Sequence, residues 1–288
     1  MPSTLAVAMP NYNHAAYLAG AIDAIVNQSR APDEFLILDD ASTDESVRII
    51  EPYLIRFPFV RLIRLPKNRG GVAAMQTLLT QTACDYVYFA AADDRVHPDC
   101  LAKAMAAAEQ HPQAGIVFGK MASIDAAGNK IRDIQAPPWS ISRFVSPEEY
   151  LTEYLDRQPV YRSLTGATVF KRNCLNEVGG FRAELGSWCD TFAMRAIALK
   201  YGAAYVPETF MSWRKLPNSL SHGGQRRLHE TLAVLNRAAA LMRSEAFRAR
   251  FPESHVRRWH RRYRFVALIN YFRSMLSQIA LGVLSVRA

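Results

Sequence analysis

The stretch TLAVAMPNYNHAAYLAGAIDAIVNQSRAPDEFLILDD, from Thr4 to Asp40, alternates between two kinds of hydrophobic pattern. It begins with a short apolar run, TLAVAM, and ends with a second, EFLILD, and each run has the length of a buried strand. Between them, Leu18, Ile22 and Ile25 recur at helical spacing. A strand, a helix and a second strand in this order predict a right-handed crossover between two parallel strands.

The same alternation continues to about residue 120. Further strands are predicted at VRLIRL, YVYFA and GIVFG, and further helices at residues 44–55, 71–82 and 98–110. We therefore expect an α/β fold with a mostly parallel sheet flanked by helices. Residues 126–146 hold turn residues and the sequence APP, which predicts a mobile loop. From residue 224 onward only helical patterns remain, which predicts a C-terminal helical extension.

The composition is globular, since 50% of the 288 residues are hydrophobic and 21% are charged. The net charge of +9 is concentrated near the C-terminus, where residues 226–288 carry 13 arginines, no lysine and 3 glutamates. The four cysteines are scattered without metal-binding spacing, so we expect reduced thiols in a cytoplasmic protein. The N-terminal segment lacks the basic start and the long apolar run of a signal peptide.

Polar residues follow each of the first four predicted strands. They are PNYN after the first strand, DDAST after the second, KNRGG after the third and ADD after the fourth. Ligands of open parallel sheets bind beyond the carboxyl ends of the strands, so we expect a ligand cleft there. For any one of these segments, the alternative is a helix N-cap, in which Asp, Ser, Thr and Asn are common.

Two adjacent carboxylates, Asp93 and Asp94, follow the fourth strand. Their negative charges repel each other and resist burial unless solvent, an arginine or a metal ion compensates them. Carboxylates without nearby His or Cys pairs suit Mg²⁺ or Mn²⁺, whose shell substrate phosphates often complete. The sequence has no Gly-x-Gly-x-x-Gly or Gly-Lys-Ser/Thr loop, which disfavours dinucleotide and P-loop binding. A nucleotide that carries a diphosphate fits such a site. Asp39 or Asp40 would accept hydrogen bonds from the ribose hydroxyls or from a base N–H, and Tyr12 would stack on the base.

Four segments resemble, in order and spacing, the N-terminal half of family-2 inverting glycosyltransferases, which have the GT-A fold. They are MPNYNHAAYLAGAIDAIVNQS, LILDDASTDES, KNRGGVAAMQTLL and YFAAADDRVHP. The resemblance implies a GT-A-like (Rossmann-like) catalytic domain over residues 1–221, with a donor half to about residue 120 and an acceptor half over about 121–221. Residues 222–288 are then a basic, amphipathic helical tail.

The resemblance also implies a donor site. Residues matching Pro10, Tyr12, Asp39 and Asp40 hold the nucleoside in that family, and the residue matching Asp93 contacts a divalent metal on the diphosphate. The full set expected to contact the donor is Pro10, Tyr12, Asn13, Asp39, Asp40, Asn68, Gly70 and Asp93. Mn²⁺ or Mg²⁺ is the expected cofactor, with Asp93 and Asp94 as its expected ligands. For Asn68 and Gly70 the alternative is a simple turn before the next helix.

The segment TGATVFKRNCLNEVGGFRAELGSWCDTFAMRA resembles the acceptor side of the same family, where a helix begins with a Glu-Asp pair. The Asp of that pair is the general base, so Asp190 is the expected catalytic residue. Without the resemblance, Asp190 is a helix-start carboxylate favoured by the helix dipole. Three positions depart from the family pattern: Ala91 and Leu216 replace metal-site residues, and Cys189 replaces the Glu. For the metal site two alternatives stay open: either Asp94 or His222 compensates, or the metal is held weakly. For His222 alone, the alternative is an ordinary surface histidine.

The expected function is transfer of a sugar from a nucleotide-diphospho-sugar of the UDP, dTDP or GDP type. The expected acceptor is a hydroxyl of a glycan or a lipid-linked molecule, in the synthesis of a cell-surface polysaccharide. Two alternatives stay open, a nucleotide-sugar-binding protein without catalysis and a nucleotidyltransferase. No nucleic-acid recognition motif accompanies the basic tail, so nucleic acid is not an expected partner.

The tail combines arginines with an apolar helical stripe, predicted as Ile269, Phe272, Leu276, Ile279 and Val283. Charged and polar residues interrupt the apolar stretch, which excludes a spanning helix. One interpretation is an interfacial helix on an anionic membrane, peripheral at the inner face of the cytoplasmic membrane. The other is packing on the catalytic domain or on a second subunit of a homodimer.

Overall fold

The computed structural model describes residues 2–134, 137–157, 164–216 and 228–285, with side chains up to residue 273. These residues form a central sheet flanked by helices, which confirms the predicted α/β class.

The bounds of the elements follow the predicted pattern closely in the first half of the chain. The strands are β1 (Leu5–Asn11), β2 (Glu34–Asp39), β3 (Val60–Arg64), β4 (Tyr86–Phe89), β5 (Arg95–Val96), β6 (Ile116–Ile124), β7 (Lys130–Asp133), β8 (Arg143–Val145), β9 (Thr168–Lys171) and β10 (Ala203–Arg214).

The helices lie between and after these strands. They are α1 (Ala15–Val26), α2 (Ser46–Arg56), α3 (Gly71–Thr80), α4 (Cys100–Gln110), α5 (Pro147–Glu149), α6 (Arg172–Glu177), α7 (Cys189–Tyr201), α8 (Leu228–Arg243) and α9 (Glu253–Ser285). A π-helical turn, Tyr150–Leu155, continues α5, and two 3₁₀ segments span Thr165–Ala167 and Ala183–Trp188.

The first strands form because their apolar runs are buried on both faces, as is typical of parallel strands between helices. The β1 burial is nearly continuous, and four residues of β2, Phe35 to Leu38, are completely buried. In α1, the predicted stripe of Leu18, Ile22 and Ile25 packs in the same core with no exposed surface.

The strand order is β3-β2-β1-β4-β9-β6-β10-β5, with β7 added on β6 and β8 on β10. The pairs β1–β2, β2–β3, β1–β4 and β6–β10 are parallel, as predicted for most of the sheet. Strand β9 is antiparallel to both β4 and β6, so the sheet is mixed at its centre. The segment before β9 lies beyond the carboxyl end of β4, where the Tyr88 hydroxyl donates to the Gly166 carbonyl at 2.8 Å. Strand β9 therefore runs from this end of β4 toward its amino end, antiparallel to β4.

The predicted mobile loop over residues 126–146 is wrong where the structure forms β7 and β8. Asp133 pairs with Ala122 of β6, and Val145 pairs with Ala203 of β10. Both strands use backbone groups that β6 and β10 would otherwise leave unpaired. All four residues of β7 are exposed, so no alternation of apolar and polar residues marked it as a strand.

The helices after residue 228 share the core of the sheet domain. Buried residues of α8, of the turn that follows it and of α9 belong to the same hydrophobic cluster as the strands, among them Leu235, Met242, Phe247, Trp259 and Tyr263. The first part of α9 therefore packs on the sheet and its helices, as one of the two interpretations of the tail expected. Within the described ranges, none of the helices has both the length and the apolar content needed to cross a membrane.

Candidate functional site

The carboxyl ends of β1, β2, β4, β6 and β10 lie along one edge of the sheet, as their pairing requires. Because β9 runs in the opposite direction, the segment Thr165–Ala167 that precedes it lies at this same edge. We call this the carboxyl edge. The candidate site is built from the segments that meet there.

Asn11 and Asp39 join the ends of β1 and β2. Asn11 Nδ2 donates to Asp39 Oδ1 at 2.9 Å and to the Ser42 hydroxyl at 3.2 Å, and the Ser42 N–H donates to Asp39 Oδ2 at 3.0 Å. The sequence argument missed Asn11, whose buried Oδ1 has no hydrogen-bond partner within the described residues. A buried acceptor without a partner is costly, so a donor group on a ligand would be favoured at this point.

The loop after β1 leaves an aromatic ring exposed at the carboxyl edge. Asn13, in the left-handed region with φ 57°, accepts from the Thr43 N–H at 2.8 Å and donates its own N–H to the Ser42 hydroxyl at 3.0 Å. These bonds hold the first loop against the second. Pro10 is half-buried within β1, whereas the Tyr12 ring is exposed, as a platform for a base requires.

Asp40 is buried and holds the third loop in place. Its Oδ1 accepts from the Arg69 N–H and its Oδ2 from the Gly70 N–H, each at 2.8 Å. The Asn68 side chain also accepts from the Gly70 N–H at 2.9 Å. Gly70 has φ 84°, a conformation that favours glycine, and α3 begins at the next residue. Asp40 and Asn68 thus have a bracing role, which the sequence argument had offered only as an alternative for Asn68 and Gly70.

The adjacent carboxylates behave differently from each other. Asp94 is buried, and its Oδ1 accepts from the Arg214 N–H at 2.7 Å. Burial first, and the neighbouring Asp93 charge second, raise the pKa of Asp94 to about 8. Asp94 therefore keeps its proton at neutral pH, which removes most of the repulsion between the pair. Asp93 is only half-buried, and its carboxylate accepts no hydrogen bond from the described residues.

Arg214, at the end of β10, is a second residue that the sequence argument missed. Its Nε donates to the Asp93 carbonyl at 2.7 Å, and its Nη1 donates to the carbonyls of Asp125 and Ala126 at 3.1 and 2.9 Å. The guanidinium also lies 4.8 Å from the centre of the Tyr17 ring. Solvent, an arginine or a metal ion had been expected to compensate the charges of Asp93 and Asp94. The structure places the arginine Arg214 beside them, and Arg214 positions the backbone that carries Asp93.

A divalent cation fits this edge only if the substrate supplies most of its ligands. The described residues contain no group of three or more His, Cys, Asp or Glu side chains arranged to hold a metal ion. Asp93 offers free carboxylate oxygens, whereas Asp94 is buried and its Oδ1 accepts from the Arg214 N–H. Mg²⁺ and related ions are often held by one or two carboxylates plus phosphate oxygens and water, which Asp93 can satisfy. Leu216 cannot ligate a metal, and His222 lies outside the described residues.

Asp190 lies in the first turn of α7 and is anchored by threonines. The Thr165 hydroxyl donates to Asp190 Oδ2 at 2.8 Å, and the Thr191 N–H donates to Asp190 Oδ1 at 2.5 Å. Burial of the carboxyl raises the pKa of Asp190, and these hydrogen bonds partly oppose that rise. A carboxylate fixed in position, with a raised pKa, is a stronger base than a solvent-exposed aspartate. Cys189, in place of the family's Glu, is buried in the core.

Two hydrogen bonds connect Asp190 to the strand that leads into Asp93. Thr165 donates to Asp190, and the next residue, Gly166, accepts from the Tyr88 hydroxyl of β4 at 2.8 Å. A side chain larger than glycine at position 166 would meet Met211 and Met121, so the segment is held close to the sheet. The two predicted acidic residues therefore belong to segments that meet at the carboxyl edge. Thr165 was not predicted, although it lies in the segment that carries the family resemblance.

The tail packs directly behind Asp190. The rings of Trp188 and Trp259 lie 4.8 Å apart, and the Arg195 guanidinium lies 5.4 Å from Trp188 and 5.7 Å from Tyr263. Arg195 Nη2 also donates to the Tyr263 hydroxyl at 3.0 Å. Trp188 therefore contacts α9, and α9 supports the start of α7.

Three comparisons place this arrangement among known proteins. Residues 6–179 match the family model described as Glycosyl transferase family 2. An uncharacterized glycosyltransferase of Haemophilus influenzae is 33% identical over 128 residues, which are 44% of this chain and 51% of that protein. The chain spans about half the length of the first curated relatives it matches.

Solved structures share the fold at low sequence identity. S. aureus TarS 1–349 in complex with UDP-GlcNAc superposes with a TM-score of 0.68 at 17% identity, covering 94% of this chain and 73% of that one. The mannosyltransferase PcManGT from Pyrobaculum calidifontis, in complex with GDP-Man and Mn²⁺, gives a TM-score of 0.62 at 20% identity, covering 97% and 76%. These likenesses support the predicted GT-A-like fold.

Proposed function

Because the chain belongs to glycosyl transferase family 2, we propose that it is an inverting enzyme that transfers a sugar from a nucleotide-diphospho-sugar to an acceptor hydroxyl. The observation that carries the proposal is the state of Asp190: a carboxylate with a raised pKa, held by Thr165 at the carboxyl edge. The donor is proposed to be of the UDP, dTDP or GDP type, since the similar folds of TarS and PcManGT hold UDP-GlcNAc and GDP-Man.

The nucleoside is proposed to bind at the ends of β1 and β2. The exposed Tyr12 ring offers a stacking surface, and the free Oδ1 of Asn11 offers an acceptor for a base or ribose donor. Asp39 lies beside it and can accept further hydrogen bonds, because each carboxylate oxygen has two acceptor positions. Asn13, Asp40, Asn68 and Gly70 then act by holding the loops around the nucleotide.

Asp190 is proposed to be the general base. It takes the proton of the acceptor hydroxyl while that oxygen forms a bond to the anomeric carbon of the donor. The bond from the anomeric carbon to the diphosphate breaks in the same step, and the nucleoside diphosphate leaves with the electron pair. Attack from the side opposite to the leaving group inverts the configuration at the anomeric carbon.

Asp93 is proposed to hold a divalent cation, Mn²⁺ or Mg²⁺, on the diphosphate, as the Mn²⁺ in the PcManGT complex suggests for a protein of this fold. The cation would neutralise the charge that develops on the leaving diphosphate. Arg214 holds the backbone at Asp93 and so orients this carboxylate. Asp94 is less suited to be a ligand, because it is buried and its Oδ1 already accepts from the Arg214 N–H.

The acceptor is proposed to be a glycan or a lipid-linked molecule, and the product a cell-surface polysaccharide. This part of the proposal rests on the family to which the chain belongs. The reaction is proposed to take place in the cytoplasm, where thiols stay reduced. The four cysteines are all buried and free, which agrees with the rarity of disulfides in that compartment.

The test is a panel of UDP, GDP, dTDP and CMP sugars, each with and without Mn²⁺. A bound donor raises the melting temperature of the protein by mass action, which identifies the base and sugar. The released products are then measured for the donor that binds. Without an acceptor, an inverting transferase slowly hydrolyses the donor: the oxygen of a water molecule bonds to the anomeric carbon as the bond to the diphosphate breaks, which gives nucleoside diphosphate and a sugar of inverted anomeric configuration. Asp190→Asn, as the matched control, binds the donor without releasing product.

Two results would replace the proposal with an alternative. Tight donor binding without any release of nucleoside diphosphate, even with Mn²⁺, would support a nucleotide-sugar-binding protein, which the departures at Ala91 and Leu216 motivate. Formation or consumption of pyrophosphate with a sugar phosphate would support a nucleotidyltransferase. Release of nucleoside diphosphate with retained anomeric configuration would contradict the inverting mechanism.

A further inference from the structure

Helices α8 and α9 form a groove with a strongly basic lining. Its volume is about 430 Å³, and its lining residues are Arg243, Arg257, His260, Arg261, Arg264, Phe265 and Leu268. We call it the basic groove. None of these lining residues is acidic, so the groove attracts anions.

Only part of this positive charge is compensated. Glu253 accepts from Arg243 Nε and Nη2, each at 2.9 Å, and lies 3.4 Å from Arg257, so one carboxylate serves two arginines. Arg261 and Arg264 have no acidic partner among the described residues. Burial first, and the nearby Arg264 charge second, lower the pKa of His260. A ligand that brings negative charge to Arg261 and Arg264 would therefore be favoured.

The neighbouring arginines of α9 have a different role. Arg258 forms an ion pair with Asp156, and Arg262 Nη1 donates to the Asp156 carbonyl at 3.3 Å. His255 also contacts the Asp156 carboxylate, with its Nδ1 at 2.8 Å. These residues attach α9 to the end of the π-helical turn. The arginines of the tail thus divide into a group that braces the fold and a group that faces solvent.

An exposed apolar surface continues the basic groove along the same face of α9. The exposed fraction is 63% for Phe265, 37% for Leu268, 44% for Tyr271 and 52% for Phe272. Arg257, Arg261, Phe265, Leu268 and Phe272 follow one another at three- or four-residue steps and therefore share a face. The opposite face, with Trp259, Tyr263 and Ala267, is buried in the core.

This surface differs from the apolar stripe expected from the sequence. Of that stripe, Phe272 is exposed, but Ile269 is half-buried, and the side chains of Leu276, Ile279 and Val283 lie outside the described residues. The structure places Phe265 and Leu268 next to the arginines instead.

We propose that the basic groove and the residues Phe265, Leu268, Tyr271 and Phe272 dock the protein on an anionic lipid bilayer. Arginines that lack a carboxylate partner would bind lipid phosphates, and the exposed aromatic and leucine side chains would enter the boundary between head groups and acyl chains. Charge complementarity favours this occupant over a second copy of the chain, because a second copy would bring another set of unpaired arginines. The proposal rests on the geometry of α8 and α9 and does not depend on the chemistry at Asp190.

Co-sedimentation with vesicles tests the proposal. We expect the full chain to bind vesicles that contain phosphatidylglycerol and to bind pure phosphatidylcholine vesicles at least tenfold more weakly, with a loss of binding at high salt. The double variant Arg261→Glu/Arg264→Glu should lose tenfold or more of the binding to anionic vesicles. Phe265→Ser/Phe272→Ser should also weaken it, and because both rings are exposed the protein should stay folded.

The matched control is Arg48→Glu/Arg61→Glu, which makes the same change in net charge at exposed positions of α2 and β3. It should retain binding. The proposal is overturned if the protein does not sediment with anionic vesicles, or if the control loses as much binding as the groove variant. It is also overturned if light scattering shows a lipid-free dimer that Phe265→Ser/Phe272→Ser disperses, which would assign the surface to a second copy. None of these readouts requires enzymatic activity, so this proposal and the proposed function can fail separately.

Discussion

The Thr165 hydroxyl donates a hydrogen bond of 2.8 Å to Asp190 Oδ2. Thr165 precedes β9, and Asp190 lies in the first turn of α7, so the bond joins two segments that meet only in the folded protein. It fixes one carboxylate oxygen and lowers the free energy of the ionised form, against the burial that raises the pKa of Asp190. The predicted base is therefore held in position, and the same bond opposes the effect of burial on its pKa.

Replacing Asp190 by Asn should reduce turnover about 10²–10⁴-fold, because the variant cannot accept the proton of the acceptor. The affinity for the donor should stay near that of the wild type, since Asn has nearly the same shape and leaves the ends of β1 and β2 unchanged. Steady-state kinetics and donor titration measure the two effects. Unchanged turnover in Asp190→Asn would remove Asp190 from the mechanism.

Replacing Thr165 by Val should move the acidic limb of the rate profile to higher pH. The lost hydrogen bond stabilised the ionised carboxylate, so its removal raises the pKa of Asp190 further and leaves less of the base ionised below neutral pH. The matched control is Thr165→Ser, which keeps the hydroxyl and should restore the wild-type limb. Identical pH profiles for the Val and Ser variants would show that the bond does not tune the base.

Replacing Asp93 by Asn should abolish the effect of Mn²⁺ on donor binding while donor binding without metal persists. Turnover should fall about 10²-fold or more, since neutralising the leaving diphosphate is worth several kcal/mol. Melting temperatures with donor, with and without Mn²⁺, measure the first effect. The control is Asp133→Asn, the same change in charge on the exposed strand β7. A full Mn²⁺ effect in Asp93→Asn would place the cation elsewhere.

The raised pKa of Asp94 makes stability depend on pH. Between about pH 4 and about pH 8 the folded protein keeps the Asp94 proton, whereas the unfolded chain has lost it. This contribution to the free energy of unfolding is complete below about pH 4 and is lost as the pH rises toward 8. The loss is at most about 1.4 kcal/mol per pH unit for one proton.

Asp94→Asn stays neutral at every pH, and its Oδ1 can still accept from the Arg214 N–H. The fall in stability of the wild type between pH 5 and pH 8, measured by urea denaturation in the presence of EDTA, should therefore be smaller in this variant. Equal pH dependence in the two proteins would mean that Asp94 is ionised in the folded state.

Local patterns determined much of this protein in advance. The alternation of strands and helices up to residue 120, the α/β class and the edge at which PNYN, DDAST and ADD meet were all predicted, because strand and helix periods are properties of neighbouring residues. The resemblance of the first half to family-2 glycosyltransferases was confirmed by the family match over residues 6–179. The prediction was wrong for β7, where exposed side chains leave no period to detect.

Other properties depended on residues that are distant in sequence. Arg214, whose N–H reaches Asp94 across 120 positions, could not be assigned to the acidic pair from spacing. Strand β9 lies between β4 and β6, and α9 packs against Trp188. Both arrangements depend on contacts between residues far apart in the sequence, which local patterns cannot predict.

The sequence by itself determined which segments become strands and helices and which polar residues arrive at the carboxyl edge. Only the tertiary structure decided the surroundings of each acid there. Asp40 braces a loop, and burial raises the pKa of Asp94. The Asp93 carboxylate is free of hydrogen bonds from the described residues, and the Asp190 carboxylate is fixed by Thr165. The physical reason is that secondary structure follows from the local alternation of apolar and polar residues, whereas the charge state of a carboxyl depends on burial and on hydrogen-bond partners that the fold brings together.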